Sequence, residues 1–435
     1  MTGPTLSRRL VENHFSTHAG ELLIGGMSVR ALVERFGAPL YVYDASIMRS
    51  QLRHLREALS SRVDVFYSVK ANPNVDVLRV FVGEGAGLEV ASASEYVRAR
   101  AAGCPAEHIL FAGPGKTEEE LALVLREGIG EIHLESEEEI ATLEALGAKM
   151  DRRIRVALRL NPRAAGGAMQ MGGHSTPFGF DEERLDDVAR LVLRHEHLQL
   201  VGLHLYGGTQ MLHAEVVTAQ WETTLRLGRA LSAVIGRPLE SLDFGGGLGI
   251  PYFGKETELD LTALRGALEP VMAAVATDPA FERARLIAEP GRFLVGPAGV
   301  YIARVVAVKE SRGKRFVITN GGMHHHLAAS GNLGQILKKD YPIVHGTRAH
   351  ADVSPAVVTG PLCTPLDTLG RMVELPETRS GDLVCVLQSG AYGLTASPVG
   401  FLSHPMPAEV LVGDGEPRLI RRRGTFEEPL VGLPL

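Results

Sequence analysis

Short apolar runs alternate with amphipathic stretches through the first two thirds of the chain. Runs at 64–69, 87–90, 108–112, 131–134, 154–160, 200–205, 241–244 and 285–288 have the length and composition of buried strands. Between them, 118–127, 137–146, 185–194, 221–234 and 261–275 carry apolar residues at helical spacing. Ser136, followed three residues later by Glu139, reads as a capping-box start. Eight strands alternating with helices over about 240 residues predict an α/β protein built on a (β/α)8 TIM barrel. A doubly wound sheet is the alternative, because a strand count does not prove closure.

After Pro290 the rhythm changes. Strands are expected at 299–309, 315–320, 355–359, 382–388 and 408–412, with few helices between them. This is a β-rich second domain, and 22–43, with a helical piece at 29–36 and a strand at 40–43, is placed to join it. The expected boundaries are 1–45 for an N-terminal segment, 46–292 for the barrel and 293–435 for the C-terminal β domain. Residues 1–20 are polar and expected to be loosely ordered.

Composition narrows the function classes. With 45 Lys and Arg against 51 Asp and Glu the net charge is −6. The densest basic run, Arg421-Arg422-Arg423, is too short to argue nucleic-acid binding. The three cysteines, Cys104, Cys363 and Cys385, lack metal-type spacing, which argues against disulfides and structural zinc and for a reducing, cytoplasmic setting. No run of about 18 apolar residues suggests a membrane span.

Several motifs could carry chemistry, each with an ordinary reading beside it. Lys70 ends the apolar run Val63 to Val69, before Asn72-Pro73-Asn74. An amine at the mouth of a buried strand is freed as a nucleophile by desolvation; a surface lysine capping a strand is the ordinary reading. Gly113-Pro114-Gly115-Lys116-Thr117 resembles the end of a phosphate loop, but Leu110 stands where that loop needs a glycine. It reads as a turn with Thr117 capping the next helix. Gly245-Gly246-Gly247 follows a strand, and its backbone N–H groups could converge on an anion, but Ile250 breaks the dinucleotide fingerprint. Glu289 ends another strand, where a barrel delivers catalytic side chains. His204 and Tyr206 share one face of theirs. His324-His325-His326 suggests metal, but adjacent histidines on a strand would face opposite sides, so no metal site is assigned.

Taken in order, Tyr67–Asn72, Gly87–Ser92, Gly202–Gln210, Leu242–Ile250, Glu289–Arg292, Gly360–Cys363 and Gly390–Gly393 resemble the diaminopimelate/ornithine decarboxylase family from about Leu22 to Glu409. These are fold-type III enzymes dependent on pyridoxal 5′-phosphate, with an alanine racemase-like barrel and a C-terminal β domain resembling a sandwich or barrel. The resemblance implies a homodimer with active sites at the interface. It implies Lys70 as the Schiff-base lysine and Glu289 as partner of the pyridine nitrogen, keeping the ring protonated as an electron sink. Gly245, Gly246, Gly247, Gly291 and Arg292 would hold the phosphate, with hydroxyls from Thr209 and Tyr392. Tyr206 stands where the family stacks a histidine on the ring, and Glu89 and His204 are its neighbours at the cofactor. Cys363, from across the interface, would protonate Cα, a role suited to a thiol with pKa near working pH. Thr364, Cys363 and Tyr392 would face the substrate.

Departures from the family bear on that substrate. Diaminopimelate decarboxylases carry a glutamate after the cysteine, where this chain has Thr364. They place an arginine and a tyrosine after Gly-Gly-Met, where this chain has His324 to Ser330. A site that lacks such polar partners discriminates against the ligand that needs them. The motifs are similar to the branch that decarboxylates glutamate tethered to an acyl carrier protein in butirosin-type biosynthesis. A diaminopimelate decarboxylase with altered contacts, a racemase and a non-catalytic regulator of the same fold are the alternatives.

Overall fold

The computed structural model describes residues 5–163, 175–333, 338–348 and 352–433. All eight expected barrel strands form, as Val63–Ser68, Gly87–Val90, Ile109–Phe111, Glu131–Leu134, Ile154–Asn161, Leu198–Leu205, Ser241–Asp243 and Arg285–Ala288. Each pairs in parallel with the next, and Arg285–Ala288 returns to Val63–Ser68, so the sheet closes. Closure decides between the two architectures that the strand count allowed. The two-residue strand Phe180–Asp181 adds to Ile154–Asn161.

Closing the ring demands close approach at one point. The register shifts between Leu200 and Gly202, and a Cβ on Gly202 would stand 1.9 Å from the carbonyl oxygen of Ser241. Only glycine lets these strands pair there.

The helices begin where the sequence supplies caps. Thr117 and Glu120 form a capping box at the head of Glu118–Glu127. Ser136 caps Glu137–Met150, but the Glu139 carboxylate turns instead to the backbone N–H of Glu135. The helix expected at 221–234 runs over Ala214–Ile235. Its threonines obscured the start in sequence, yet Thr218, Thr223 and Thr224 return their hydroxyls to carbonyls one turn back.

Two compact units divide the chain. One contains Gln51–Ile250 and Glu258–Phe293; the other contains Met1–Ser50, Pro251–Thr257 and Leu294–Leu435. In the second, Leu40–Asp44 pairs antiparallel with Gly299–Ser311 and parallel with Ala408–Val412. Leu22, Ile24, Leu32, Val42, Val300, Ile302 and Val410 share its apolar core. Strands Ile343–His345, Thr368–Leu375 and Arg418–Arg421 were not expected, being short, glycine-interrupted or charged.

The expectation of a loosely ordered N-terminus is corrected for its described part. Thr5 caps the helix Leu6–His14, which buries Leu6, Leu10 and Val11 against the same core. A four-residue apolar spacing was there to read, but charged neighbours masked it.

Candidate active site

The C-terminal ends of the barrel strands surround a cavity of about 230 Å3, whose lining includes Lys70, Glu89, Arg159, His204, Tyr206 and Glu289. Five of these six were expected from sequence, and the fold gathers them although they span 220 positions, from 70 to 289.

Lys70 sits in the 3-10 turn Val69–Ala71 just past its strand rather than within it. Its side chain is 45% exposed, and Nζ lies 3.2 Å from Glu89 Oε2. The amine is thus less buried than the apolar run suggested. Glu89 is buried and holds Lys70 in place, while Ser68 Oγ donates to the same carboxylate.

Opposite chemistry lies at Glu289. The carboxylate is buried; Oε2 lies 3.2 Å from His204 Nε2, and Oε1 has no hydrogen-bond partner among the described residues. Burial by itself would raise its pKa. His204, and His133 behind it, outweigh that and hold it below the usual carboxylate range. Burial in turn pushes His204 down, towards the neutral imidazole. The position of His204, undetermined in sequence, is thus against Glu289.

The glycine turn lies beside Glu289. Gly245 and Gly247 adopt φ of +67° and +96°, which side-chain-bearing residues rarely take. A Cβ on Gly246 would stand 2.3 Å from the Glu289 carbonyl oxygen, and one on Gly247 2.4 Å from that of Gly208. Gly291 packs on Ser68 and Ala71, next to Lys70. Backbone is thereby brought close on several sides; Thr209 lies four residues past the strand Leu198–Leu205, and Arg292 opens the short helix Arg292–Val295.

Arg159 and Glu135 were missed in sequence. Arg159 Nη1 donates to Glu135 Oε1 at 2.6 Å, and the guanidinium lies over the Phe178 ring at 5.0 Å. Glu135 also accepts the N–H groups of Gly113 and Gly179. Arg159 alternates with apolar residues on its strand, and that alternation was the available signal. The phosphate-loop lookalike is settled too. Lys116 is buried, pairs with Glu139 at 2.8 Å, and donates to the carbonyls of Gly113 and His133.

Cys363, Thr364 and Tyr392 belong to the other unit. Cys363 is exposed in the turn that follows Gly360. Asp367 anchors that turn, since its two carboxylate oxygens accept the N–H groups of Met323 and Leu362 at 2.7 and 2.8 Å. Tyr392 holds φ at +53°. The histidine triplet lies in a turn, not on a strand, so the premise of alternating faces is corrected. All three are buried. His325 Nδ1 lies 3.2 Å from the Tyr301 hydroxyl and Nε2 3.1 Å from the Pro405 carbonyl oxygen. His326 Nε2 reaches Ser389 Oγ, and its Nδ1 accepts the Ala329 N–H.

An amine, a buried carboxylate oxygen without a partner and a glycine cradle fit a ring with an aldehyde, a basic nitrogen and a phosphate. Residues 45–296 match the family described as pyridoxal-dependent decarboxylase, pyridoxal binding domain. The chain belongs to the pyridoxal-dependent decarboxylase family. It is 40% identical to the L-glutamyl-[BtrI acyl-carrier protein] decarboxylase of Niallia circulans, over 92% of this chain and 94% of that one. Identity to the diaminopimelate decarboxylase of Aquifex aeolicus is 31%, covering 94% of both. The solved diaminopimelate decarboxylase of M. jannaschii superposes with a TM-score of 0.90 at 25% identity, covering 98% of this chain and 99% of that one. The chain is therefore a carboxy-lyase that uses pyridoxal phosphate. Among the described residues no helix is long and apolar enough to cross a membrane.

Proposed function

We propose that this decarboxylase removes the α-carboxylate of an amino acid tethered to an acyl carrier protein, with an L-glutamyl thioester as the substrate. One observation on the cavity carries the reading. Its basic lining residues among those described, Lys70 and Arg159, are each paired with a carboxylate, Glu89 and Glu135. Free glutamate or diaminopimelate would bring a second carboxylate in need of a cation, whereas a thioester brings none. By the family resemblance, the reader of the second amine is expected at Thr364 and those of the distal carboxylate within His324 to Ser330, where this chain has none of them, and the relative from Niallia circulans, named for a carrier-linked substrate, supports the same reading.

Bound pyridoxal phosphate supplies an aldehyde for the amines and an electron sink for the pair left behind by CO2. Lys70 brings its amine into the cavity and would hold the cofactor through its aldehyde, with Glu89 beside it to pair with the free amine. Glu289, ionised beside His204, would accept a hydrogen bond from the protonated ring nitrogen. Gly246, Gly247 and Gly291 would offer backbone N–H groups to the phosphate, Gly245, whose own N–H goes to Asp243 Oδ1, would shape the turn that holds it, and Arg292, Thr209 and Tyr392 would add side-chain donors. Tyr206 offers its face to the ring. Cys363, contributed by a second copy of the chain in a homodimer, delivers the proton to Cα.

The test is CO2 release from glutamyl carrier protein, free glutamate and meso-diaminopimelate. Turnover of the carrier-bound substrate at least about tenfold above both free amino acids is expected, about 1.4 kcal/mol of discrimination. Comparable turnover of meso-diaminopimelate would overturn the reading.

A further inference from the structure

Inside the barrel, from the cavity wall at His204 and Glu289 inward, five titratable side chains share one buried space. Glu131 and His133 come from Glu131–Leu134, His204 from Leu198–Leu205, Asp243 from Ser241–Asp243, and Glu289 from the end of Arg285–Ala288. None is more than 5% exposed. His133 Nε2 lies 3.3 Å from Glu131 Oε1 and 3.9 Å from Asp243 Oδ2. Ser241 Oγ donates to that Glu131 oxygen at 3.0 Å. The His133 ring stacks on His204, with centroids 4.5 Å apart and planes 27° apart. His204 in turn sets Nε2 3.2 Å from Glu289 Oε2.

We propose that His133 is a positioning residue for Glu289: its ring, beside the Glu131 carboxylate, stacks on His204 and keeps it in place, and His204 steers the carboxylate toward the ring nitrogen of pyridoxal phosphate. His133 does not line the cavity, so it acts only through its neighbours. Three carboxylates in one buried space cannot all ionise without compensation. Burial, and then Glu289, push Asp243 well up, so a proton resides on Asp243 and the charge on Glu289. That division depends on an imidazole held against Glu289, and the stack is what stops His204 from turning away. Neither ring nitrogen of His133 makes a hydrogen bond among the described residues, so its stack on His204 and the nearby Glu131 carboxylate, itself fastened by Ser241, are what hold the ring, and Asp243 Oδ1 accepts the Gly245 N–H at 2.7 Å. The cluster thus ties the back of the barrel to the glycine turn. His133, His204, Asp243 and Glu289 also have ligand atoms within 4.8 Å of one another, near enough for a divalent ion to bridge. Such an ion would draw Glu289 away from a ring nitrogen, so the two arrangements exclude each other.

The inference rests on the reading of Glu289 as the nitrogen's partner. It is tested on the full chain stripped of cofactor, by measuring the Kd for pyridoxal phosphate and for its 1-deaza analogue, in which C–H replaces the ring nitrogen. Wild type should prefer pyridoxal phosphate. His133→Asn should cut that preference about tenfold by weakening pyridoxal phosphate alone, the scale of one charge-assisted hydrogen bond. Glu131→Gln, which keeps the side chain's shape, should act in the same direction, and covers the case in which His133→Asn does not fold. Adding Glu289→Gln to His133→Asn should cost no further preference. Equal weakening of both ligands would mean a merely structural role and would overturn the inference, as would an unchanged preference or a stoichiometric divalent ion in the purified protein. Absence of any preference in wild type would sink the Glu289 reading itself, whereas a preference kept in both variants sinks only the role of His133.

Discussion

Replacing Asp367 by Asn should disarm the cysteine turn while leaving the cofactor site intact. Each carboxylate oxygen accepts one backbone N–H, from Met323 on one segment and Leu362 on another, and the side chain is buried. There is no room to rearrange, because a Cβ on Gly322 or Gly360 would stand 2.1 and 2.3 Å from these oxygens. An amide keeps one acceptor and turns an N–H against the second donor, so one hydrogen bond to a charged group is lost, worth about 1.5–3 kcal/mol. Burial raises the Asp367 pKa, so the ionised form already carries a desolvation cost that the amide removes. The net loss should be about 1–2 kcal/mol, felt mainly in the turn that presents Cys363. With pyridoxal phosphate bound, turnover should fall about tenfold or more, KM should change little, and the cofactor absorbance should not move. Alkylation of Cys363 by iodoacetamide should change in rate, reporting the turn directly. Unaltered alkylation and turnover would refute the reasoning. So would loss of the cofactor, since that would mean Asp367 supports the fold at large.

Three further expectations can be checked. Gly246→Ala should weaken pyridoxal phosphate binding at least about tenfold, because its Cβ would meet the Glu289 carbonyl, an overpacking cost of about 1–3 kcal/mol; equilibrium dialysis reads this, and normal retention would refute the cradle. Cys363→Ala should retain the cofactor absorbance but slow product formation; if the homodimer shares its sites, mixing it with Lys70→Ala protein should restore up to about a quarter of the activity. Acid should destabilise the β unit through His325 and His326, which burial pushes down to about 2 and about 3. Unfolded histidine binds its proton near 6.5, so the unfolded chain holds more protons between these values. Stability is therefore full above about pH 6.5 and falls below it, by about 3 kcal/mol for the pair between pH 6.5 and 5. Urea unfolding at both pH values should show this, with a smaller difference in His326→Gln.

The order of the elements was written in the sequence, because a buried parallel strand must be an apolar run and its helix must be amphipathic. Lys70, Glu289 and the glycine turn were legible for a related reason. Each follows an apolar run, and a barrel presents its strand ends on one face. Position along the chain could not place Lys70 beside Glu89, because that contact joins neighbouring strands through the barrel's register. His204 was ambiguous for the same reason: a buried histidine takes its meaning from what faces it, and Glu289 lies 85 residues away, two strands round the barrel. His133 and Asp243 passed unnoticed inside apolar runs, since a strand pattern shows which side a residue faces but not which charges meet there. The sequence by itself determined the fold's rhythm and the cofactor's chemistry, through local periodicity and motif order. Only closure of the barrel decided which carboxylate stays charged, because that depends on burial and on partners brought together from distant strands.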